Sequence, residues 1–93
     1  MATQVRASHI LVKTEDEANK ILKRINDGED FTAVAKRFSS FPSRKNGGDL
    51  GWFGKGQMVP EFEKVAFEND TNKVVGPIKT QFGYHIIKVT GRK

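Results

Sequence analysis

The sequence contains no cysteine, so disulfide bonds, thiolate metal sites and cysteine nucleophiles are all excluded. Trp and Tyr occur once each, which leaves few rings for stacking on nucleic-acid bases. No apolar run approaches the roughly 20 residues that a membrane-spanning helix needs. Residues 1–13 lack the apolar stretch and cleavage site of a signal peptide, so we expect a cytoplasmic location.

The length of 93 residues predicts a single domain over 1–93, because most domains hold about 100–150 residues. A domain of this size buries roughly two-thirds of its unfolded surface, which supports one modest core. This excludes a large enzyme of the doubly wound, cofactor-binding type. A hydrophobic content of 37% with seven Phe residues is enough for that core and argues against disorder throughout.

Positive charge is concentrated near the C-terminus. The net charge is +5, yet residues 1–70 hold 11 basic and 11 acidic side chains. The excess comes from Lys73, Lys79, Lys88, Arg92 and Lys93. One interpretation is a solvated basic edge. The other is an anionic partner, such as a weak peripheral contact with an anionic membrane surface worth about 1 kcal/mol per lysine.

Three segments have the composition of β-strands, rich in β-branched and apolar side chains: 5–12, 74–80 and 84–90. Residues 39–51 carry proline, asparagine and glycine and are predicted to form a loop. Five of the nine glycines fall between Gly47 and Gly56, which favours tight turns there over regular structure.

Three further segments carry apolar residues at helical spacing. The first begins at Thr14, where Glu17 matches a capping box, and ends near Gly28. The second follows the candidate N-cap Asp30, and the third starts near Pro60. The predicted order is β-α-α-loop-α-β-β, which places the chain in the α+β class.

The glycine-rich stretch 47–57 lacks the G-x-x-x-x-G-K-[ST] pattern of a phosphate loop and the third glycine of a dinucleotide fingerprint. A nucleotide cofactor is therefore not expected. Leu50, Met58 and Phe62, in and near this stretch, are compatible with simple core positions or with an adaptable apolar pocket. Residue chemistry alone does not decide between the two.

The two histidines are His9, in the first predicted strand, and His85, in the last. Because the first and last strands of a small sheet often pair, we expect the rings to be buried and able to touch. Two histidines without cysteine or a close pair of acids supply too few metal ligands. No serine has the G-x-S-x-G context of a nucleophile. A facing pair would stay neutral, since like charges disfavour protonation.

Three separated segments carry a family resemblance: ASHILVK at 7–13, GGDLGWF with GQMVPEF between 47 and 62, and GPIKTQFGYHIIK at 76–88. In this order they resemble the parvulin family of peptidyl-prolyl cis/trans isomerases. The resemblance implies a four-stranded antiparallel sheet wrapped by three to four helices. It also implies an enzyme that accelerates rotation about X-Pro bonds in polypeptides, with neither a cofactor nor a metal.

The resemblance assigns roles by position. The residues that fall on the pocket for the proline ring are Leu50, Met58 and Phe62. The residues that fall on the histidine pair and its partner hydroxyl are His9, His85 and Thr80. Gln57 and Phe82 fall at the rim. We expect Met58→Ala or Phe62→Ala to lower activity far more than stability.

Two departures from the parvulin pattern narrow the expected mechanism. Many parvulins carry Cys or Asp facing the substrate carbonyl, where this chain has Phe41, so the expected mechanism is non-covalent. Ser39, Ser40 and Ser43 are candidates for the missing polarity. The basic loop of the phospho-specific branch is replaced by the acidic residues 14–17, TEDE, so we expect no preference for phosphoserine and an apolar residue before proline.

Two other functions stay open. The first is a proline-binding chaperone module with weak catalysis, which the presence of Phe41 favours. The second is a basic nucleic-acid-binding domain, suggested by the net charge with Trp52 and Phe53 as candidate exposed rings. The absence of a recognised RNA or DNA motif disfavours the second. A monomer is the expected oligomeric state.

Overall fold

A computed structural model describes residues 3–93. Its strands are β1 (Gln4–Val12), β2 (Asp49–Gly54), β3 (Val74–Thr80) and β4 (Gly83–Arg92). Its helices are α1 (Glu15–Asn26), α2 (Phe31–Phe38) and α3 (Pro60–Glu68), with a 3-10 helix at Pro42–Asn46. No helix within this described range combines the length and apolar character that crossing a membrane requires.

The four strands form one antiparallel sheet in the order β2-β1-β4-β3. The first and last strands therefore lie side by side at its centre. In their register His9 is opposite Ile87, and Leu11 is opposite His85. The two histidines are thus diagonal neighbours on one face of the sheet, a separation that side chains of this length can bridge.

Side chains alternate between two buried faces. On one face, Ile10 and Ile86 pack with residues of α1 and α2, and we call it the α1/α2 face. On the other, Val5 and Ile87 pack with Phe62 of α3, and we call it the α3 face. Because a strand places successive side chains on opposite sides, neighbouring residues of β1 and β4 serve different layers of the core.

The helix boundaries follow the predicted local signals. The Thr14 hydroxyl accepts a hydrogen bond from the Glu17 N–H at 3.2 Å and begins α1. The Asp30 carboxylate accepts from the Ala33 N–H at 3.2 Å and begins α2 in the same way. Pro60 occupies the first turn of α3, where its missing N–H leaves no intrahelical bond unmade.

The prediction of a loop over residues 39–51 was wrong in part. Residues 42–46 form the 3-10 helix, and β2 begins at Asp49. The glycines that suggested turns, Gly51 and Gly54, lie within this strand. Their local preference is overridden because β2 pairs along the free edge of β1 and buries Phe53 to 2% exposure.

Candidate active site

An apolar hollow of about 80 Å³ opens on the α3 face. Its lining residues are His9, Phe41, Leu50, Met58, Val59, Phe62, Phe82 and His85. They come from three strands, from α3 and from the segments that connect them. Because these parts are distant in the sequence, the hollow exists only once the sheet has formed. Its chemistry and size suit one small apolar ring.

The walls of the hollow differ in how deeply they are buried. Phe62 is only 2% exposed and forms the floor, which is also part of the core. Leu50 and Met58 are half-buried and form the sides. Phe82, in the turn between β3 and β4, is 56% exposed and stands at the rim. A ligand can therefore reach Met58 and Phe82 without unpacking the floor.

A chain of three polar side chains lies beneath the hollow. The Nδ1 atoms of His9 and His85 are 2.9 Å apart, and Nε2 of His85 is 2.7 Å from the Thr80 hydroxyl. The same hydroxyl accepts a hydrogen bond from the Phe82 N–H at 3.2 Å. All three side chains are at most 6% exposed, so the predicted burial and contact of the histidines are present.

Both histidines are neutral at physiological pH. Burial, together with a smaller effect of the neighbouring His85, lowers the pKa of His9 from 6.5 to about 4. Burial also lowers the pKa of His85, against the opposing effect of the Glu61 carboxylate. A neutral imidazole has one N–H and one lone pair, so each ring can donate on one side and accept on the other.

The position of His9 depends on the close approach of Gly48. The His9 N–H donates to the Gly48 carbonyl at 3.0 Å. A Cβ on Gly48 would lie 2.4 Å from the His9 carbonyl oxygen, and the residue has a φ of +89°. Only glycine meets both conditions, which explains why the glycine pair that precedes β2 lies against β1 at this point.

The serines around Phe41 do not supply polarity to the hollow, because none of them lines it. The Ser39 hydroxyl accepts from the Leu11 N–H at 3.1 Å, and the Ser40 hydroxyl donates to the Leu11 carbonyl at 3.1 Å. The expectation that these serines replace the missing polar group was therefore wrong. The hydroxyls of Ser39 and Ser40 tie the segment that carries Phe41 to β1.

Residues 1–93 match the family model described as the PPIC-type PPIase domain. The chain belongs to this family. The foldase protein PrsA of Geobacillus kaustophilus is 52% identical over 91 residues, which cover 97% of this chain and 32% of that protein. This parvulin-type chain thus spans about a third of the length of the curated relatives it matches.

Solved parvulin structures share the fold. PrsA from Bacillus anthracis superposes with a TM-score of 0.96 at 43% identity, covering 99% of this chain and 43% of that chain. NmPin, the parvulin of Nitrosopumilus maritimus, superposes with a TM-score of 0.86 at 43% identity, covering 98% and 99%. The predicted four-stranded antiparallel sheet is confirmed, and the chain has the fold of the parvulin family.

The structure brings most of the expected parvulin site residues together. The hollow gathers Phe41, Leu50, Met58, Phe62 and Phe82 over the histidine pair. Gln57 is the exception, because it is exposed and its side-chain oxygen accepts from the Gly54 N–H at 2.7 Å. Val59 lines the hollow although it was not predicted to do so. Its position between Met58 and the first residue of α3 is the signal that could have identified it.

The basic residues of the C-terminal quarter differ in their local contacts. Those in or next to the outer hairpin are Lys73, Lys79 and Lys88. Arg92 donates to a backbone carbonyl just after α3, whereas the Lys93 ammonium lies 4.5 Å from the centroid of the Trp52 ring. Lys79 and Lys88 project from the α1/α2 face, away from the hollow. A weak contact with an anionic membrane stays a prediction.

The pair of exposed rings that suggested nucleic-acid binding is not formed. Trp52 is 42% exposed, but Phe53 is 2% exposed and packs in the core of the α3 face. The two residues are neighbours on β2, so their side chains point to opposite sides of the sheet. The expectation of Phe53 as an exposed ring was wrong for that reason.

Lowering the pH from 6.5 to about 4 is expected to lower the free energy of unfolding. Because the pKa of His9 is depressed to about 4, the unfolded chain binds more protons than the folded chain within this window. The contribution of His9 to the free energy of unfolding is complete above pH 6.5 and is lost as the pH falls towards the pKa of His9 in the folded chain. For His9 the full loss is about 3 kcal/mol.

Urea denaturation across this pH window measures the effect. His9→Asn keeps a polar side chain of similar reach but removes the titrating ring, so its stability should fall less steeply with decreasing pH. Equal slopes in the variant and the wild type would show that His9 does not cause the acid sensitivity.

Proposed function

We propose that this domain accelerates X-Pro rotation in polypeptides without covalent chemistry, holding the proline ring in the apolar hollow. The observation that carries the proposal is the lining itself, in which six apolar side chains surround a neutral histidine pair. No serine hydroxyl, carboxylate or amine is among the lining residues. Such a site can bind and desolvate an X-Pro bond but offers no hydroxyl, thiol, carboxylate or amine to attack it.

The chemistry requires only that the amide be twisted. Its barrier of about 18–20 kcal/mol comes from amide resonance, which planarity maximises. An enzyme lowers this barrier by binding the twisted amide more tightly than either planar form. Clamping the ring between Met58 and Phe62 leaves the preceding carbonyl free to rotate. Removing that amide from water favours the twisted state, which is less polar than the planar amide.

We infer that the residue before proline is apolar. Phe41 and Phe82 present rings at the opening of the hollow, so an apolar side chain next to the proline gains contact with them. The first turn of α1 presents exposed Glu15, Asp16 and Glu17 and no basic residue, so it offers no cation to a phosphate. Burial of an apolar side chain is worth about 1.5–3 kcal/mol, so the preference over an acidic residue is about tenfold or more.

Measurements of cis/trans exchange on four peptides test the proposal. The peptides differ only in the residue before proline, which is Leu, Lys, Glu or phosphoserine. We expect the highest kcat/KM for Leu-Pro and lower values for Glu-Pro and phosphoserine-Pro. NMR exchange spectroscopy measures each rate at equilibrium and needs no coupled protease. A higher kcat/KM for phosphoserine-Pro than for Leu-Pro would overturn the proposed specificity. Catalysis of none of the four would overturn the proposed activity.

The second candidate function is a proline-binding chaperone module. The curated relatives are foldase proteins by name, which is consistent with polypeptide substrates that are still folding. Phe41 supports this candidate because it adds apolar contact at the site without adding a reactive group. The same peptides discriminate the two, since a module of this kind would bind Leu-Pro peptides without accelerating their exchange.

A further inference from the structure

One ring nitrogen in the hydrogen-bonded row of side chains His9, His85 and Thr80, which we call the polar chain, has no hydrogen-bond partner. Within residues 3–93, the buried side-chain polar atoms without an oxygen or nitrogen partner are Nε2 of His9 and Oγ of Ser43. His9 is 2% exposed, so solvent does not compensate for the missing bond. A buried polar atom without any partner is costly, and this one belongs to the ring that lines the hollow.

Two phenyl rings contact His9 edge to face, and their positions differ. Phe62 lies 5.5 Å from His9 and 5.7 Å from His85 between ring centroids, so it packs alongside the bond that joins them. Phe41 lies 4.7 Å from His9, at an interplanar angle of 74°. It forms no ring contact with His85, so Phe41 contacts the histidine pair through the His9 ring alone. Two nearly perpendicular rings at this centroid distance place the edge of one ring over the face of the other.

We propose that the Nε2–H of His9 donates to the π face of Phe41, so that Phe41 is a positioning residue for the whole polar chain. The donors then run in one direction, from the Thr80 hydroxyl to Nε2 of His85 and from Nδ1–H of His85 to Nδ1 of His9. Phe41 is the last acceptor. The role of this order in catalysis rests on the proposed function, whereas the order itself does not.

The ring face explains why this direction is chosen over its reverse. In the reverse order His9 would carry its proton on Nδ1, and the lone pair on Nε2 would face the negative π face of Phe41. An N–H at the same place is attracted by that face. Phe41 therefore selects one tautomer for each histidine, and the hollow receives a fixed arrangement of dipoles without a charged group.

Side-chain nitrogen NMR of the histidines tests the assignment in the intact chain. We expect a protonated Nε2 on His9 and a protonated Nδ1 on His85. The Nε2 proton of His9 should be shifted upfield, because it lies over a ring face. A His9 proton on Nδ1, or an Nε2 proton shifted downfield as at a ring edge, would overturn the proposal.

Three variants separate the effect of the Phe41 π face from the effect of the other apolar side chains of the hollow. Phe41→Leu keeps an apolar side chain but removes the π face, and we expect a mixture of His9 tautomers in place of one. Phe41→Asp supplies a carboxylate as acceptor and should restore the single Nε2–H tautomer. Phe82→Leu removes a ring of the hollow that makes no ring contact with His9, so it should leave the tautomer unchanged.

Ser43→Ala tests the alternative that the other unpartnered group reaches Nε2 through a water molecule. Loss of the single tautomer in this variant, with its retention in Phe41→Leu, would overturn the proposal. If Phe41→Leu does not fold, the sign of the ring-current shift in the wild type decides alone. None of these readouts depends on turnover, so the proposed function can fail or stand independently.

Discussion

Phe62→Ala is expected to lower the free energy of unfolding by about 3–5 kcal/mol, the usual cost of truncating a buried phenylalanine. Phe62 is 2% exposed, and its ring contacts Phe53 at 5.9 Å as well as both histidines. Because the surrounding side chains come from β1, β2 and β4, they cannot close the cavity without shifting the sheet. Urea denaturation of the variant and the wild type measures the difference.

Phe82→Ala is the matched control, since it removes the same ring from a position that is 56% exposed. Its stability should change by no more than about 0.5 kcal/mol, as is usual at the surface. A Phe62→Ala variant as stable as Phe82→Ala would contradict the placement of Phe62 in the core.

This burial also corrects an expectation from the sequence. Phe62→Ala was expected to affect activity far more than stability, but a floor residue shared with the core affects both. Loss of activity in this variant would therefore include loss of folded protein. The sequence could not reveal the difference, because a phenylalanine at helical spacing has the same pattern whether a pocket or solid core lies above it.

The helices were predicted where the signal is local. Thr14 and Asp30 each cap a helix through an atom three residues away, so the capping pattern is visible in a short window. The strand β2 was missed because its cause is distant in the sequence. Gly51 and Gly54 disfavour a strand locally, and only pairing with β1 stabilises them there.

The site shows the same division. The contact between His9 and His85 could be expected from two strands that pair. Which ring atoms meet could not be predicted, because that depends on the register of β1 against β4. The side chain of Gln57 was expected at the rim, yet it satisfies a backbone N–H in its own loop. Hydrogen bonds within a loop depend on its conformation, which residue types alone do not determine.

Met58→Ala is expected to lower kcat/KM by about 10- to 50-fold while changing the free energy of unfolding by about 1 kcal/mol or less. The truncation removes the part of Met58 that would contact the proline ring, and each lost methylene-sized group costs about 0.8 kcal/mol of binding. Because about 1.4 kcal/mol of transition-state stabilisation corresponds to a tenfold change in kcat/KM, losing two to three such groups gives the expected 10- to 50-fold decrease. Met58 is half-buried and lies before α3, so its loss leaves the core of the α3 face filled.

Leu22→Ala is the matched control for Met58→Ala. Leu22 is also half-buried, but it belongs to α1 and packs against the opposite face of the sheet. Its truncation should lower stability as much or more and leave kcat/KM unchanged, because it touches no residue of the hollow. NMR exchange on a Leu-Pro peptide with urea denaturation gives both quantities for each variant. Equal kcat/KM for Met58→Ala and the wild type, in a fully folded variant, would refute the hollow as the proline site.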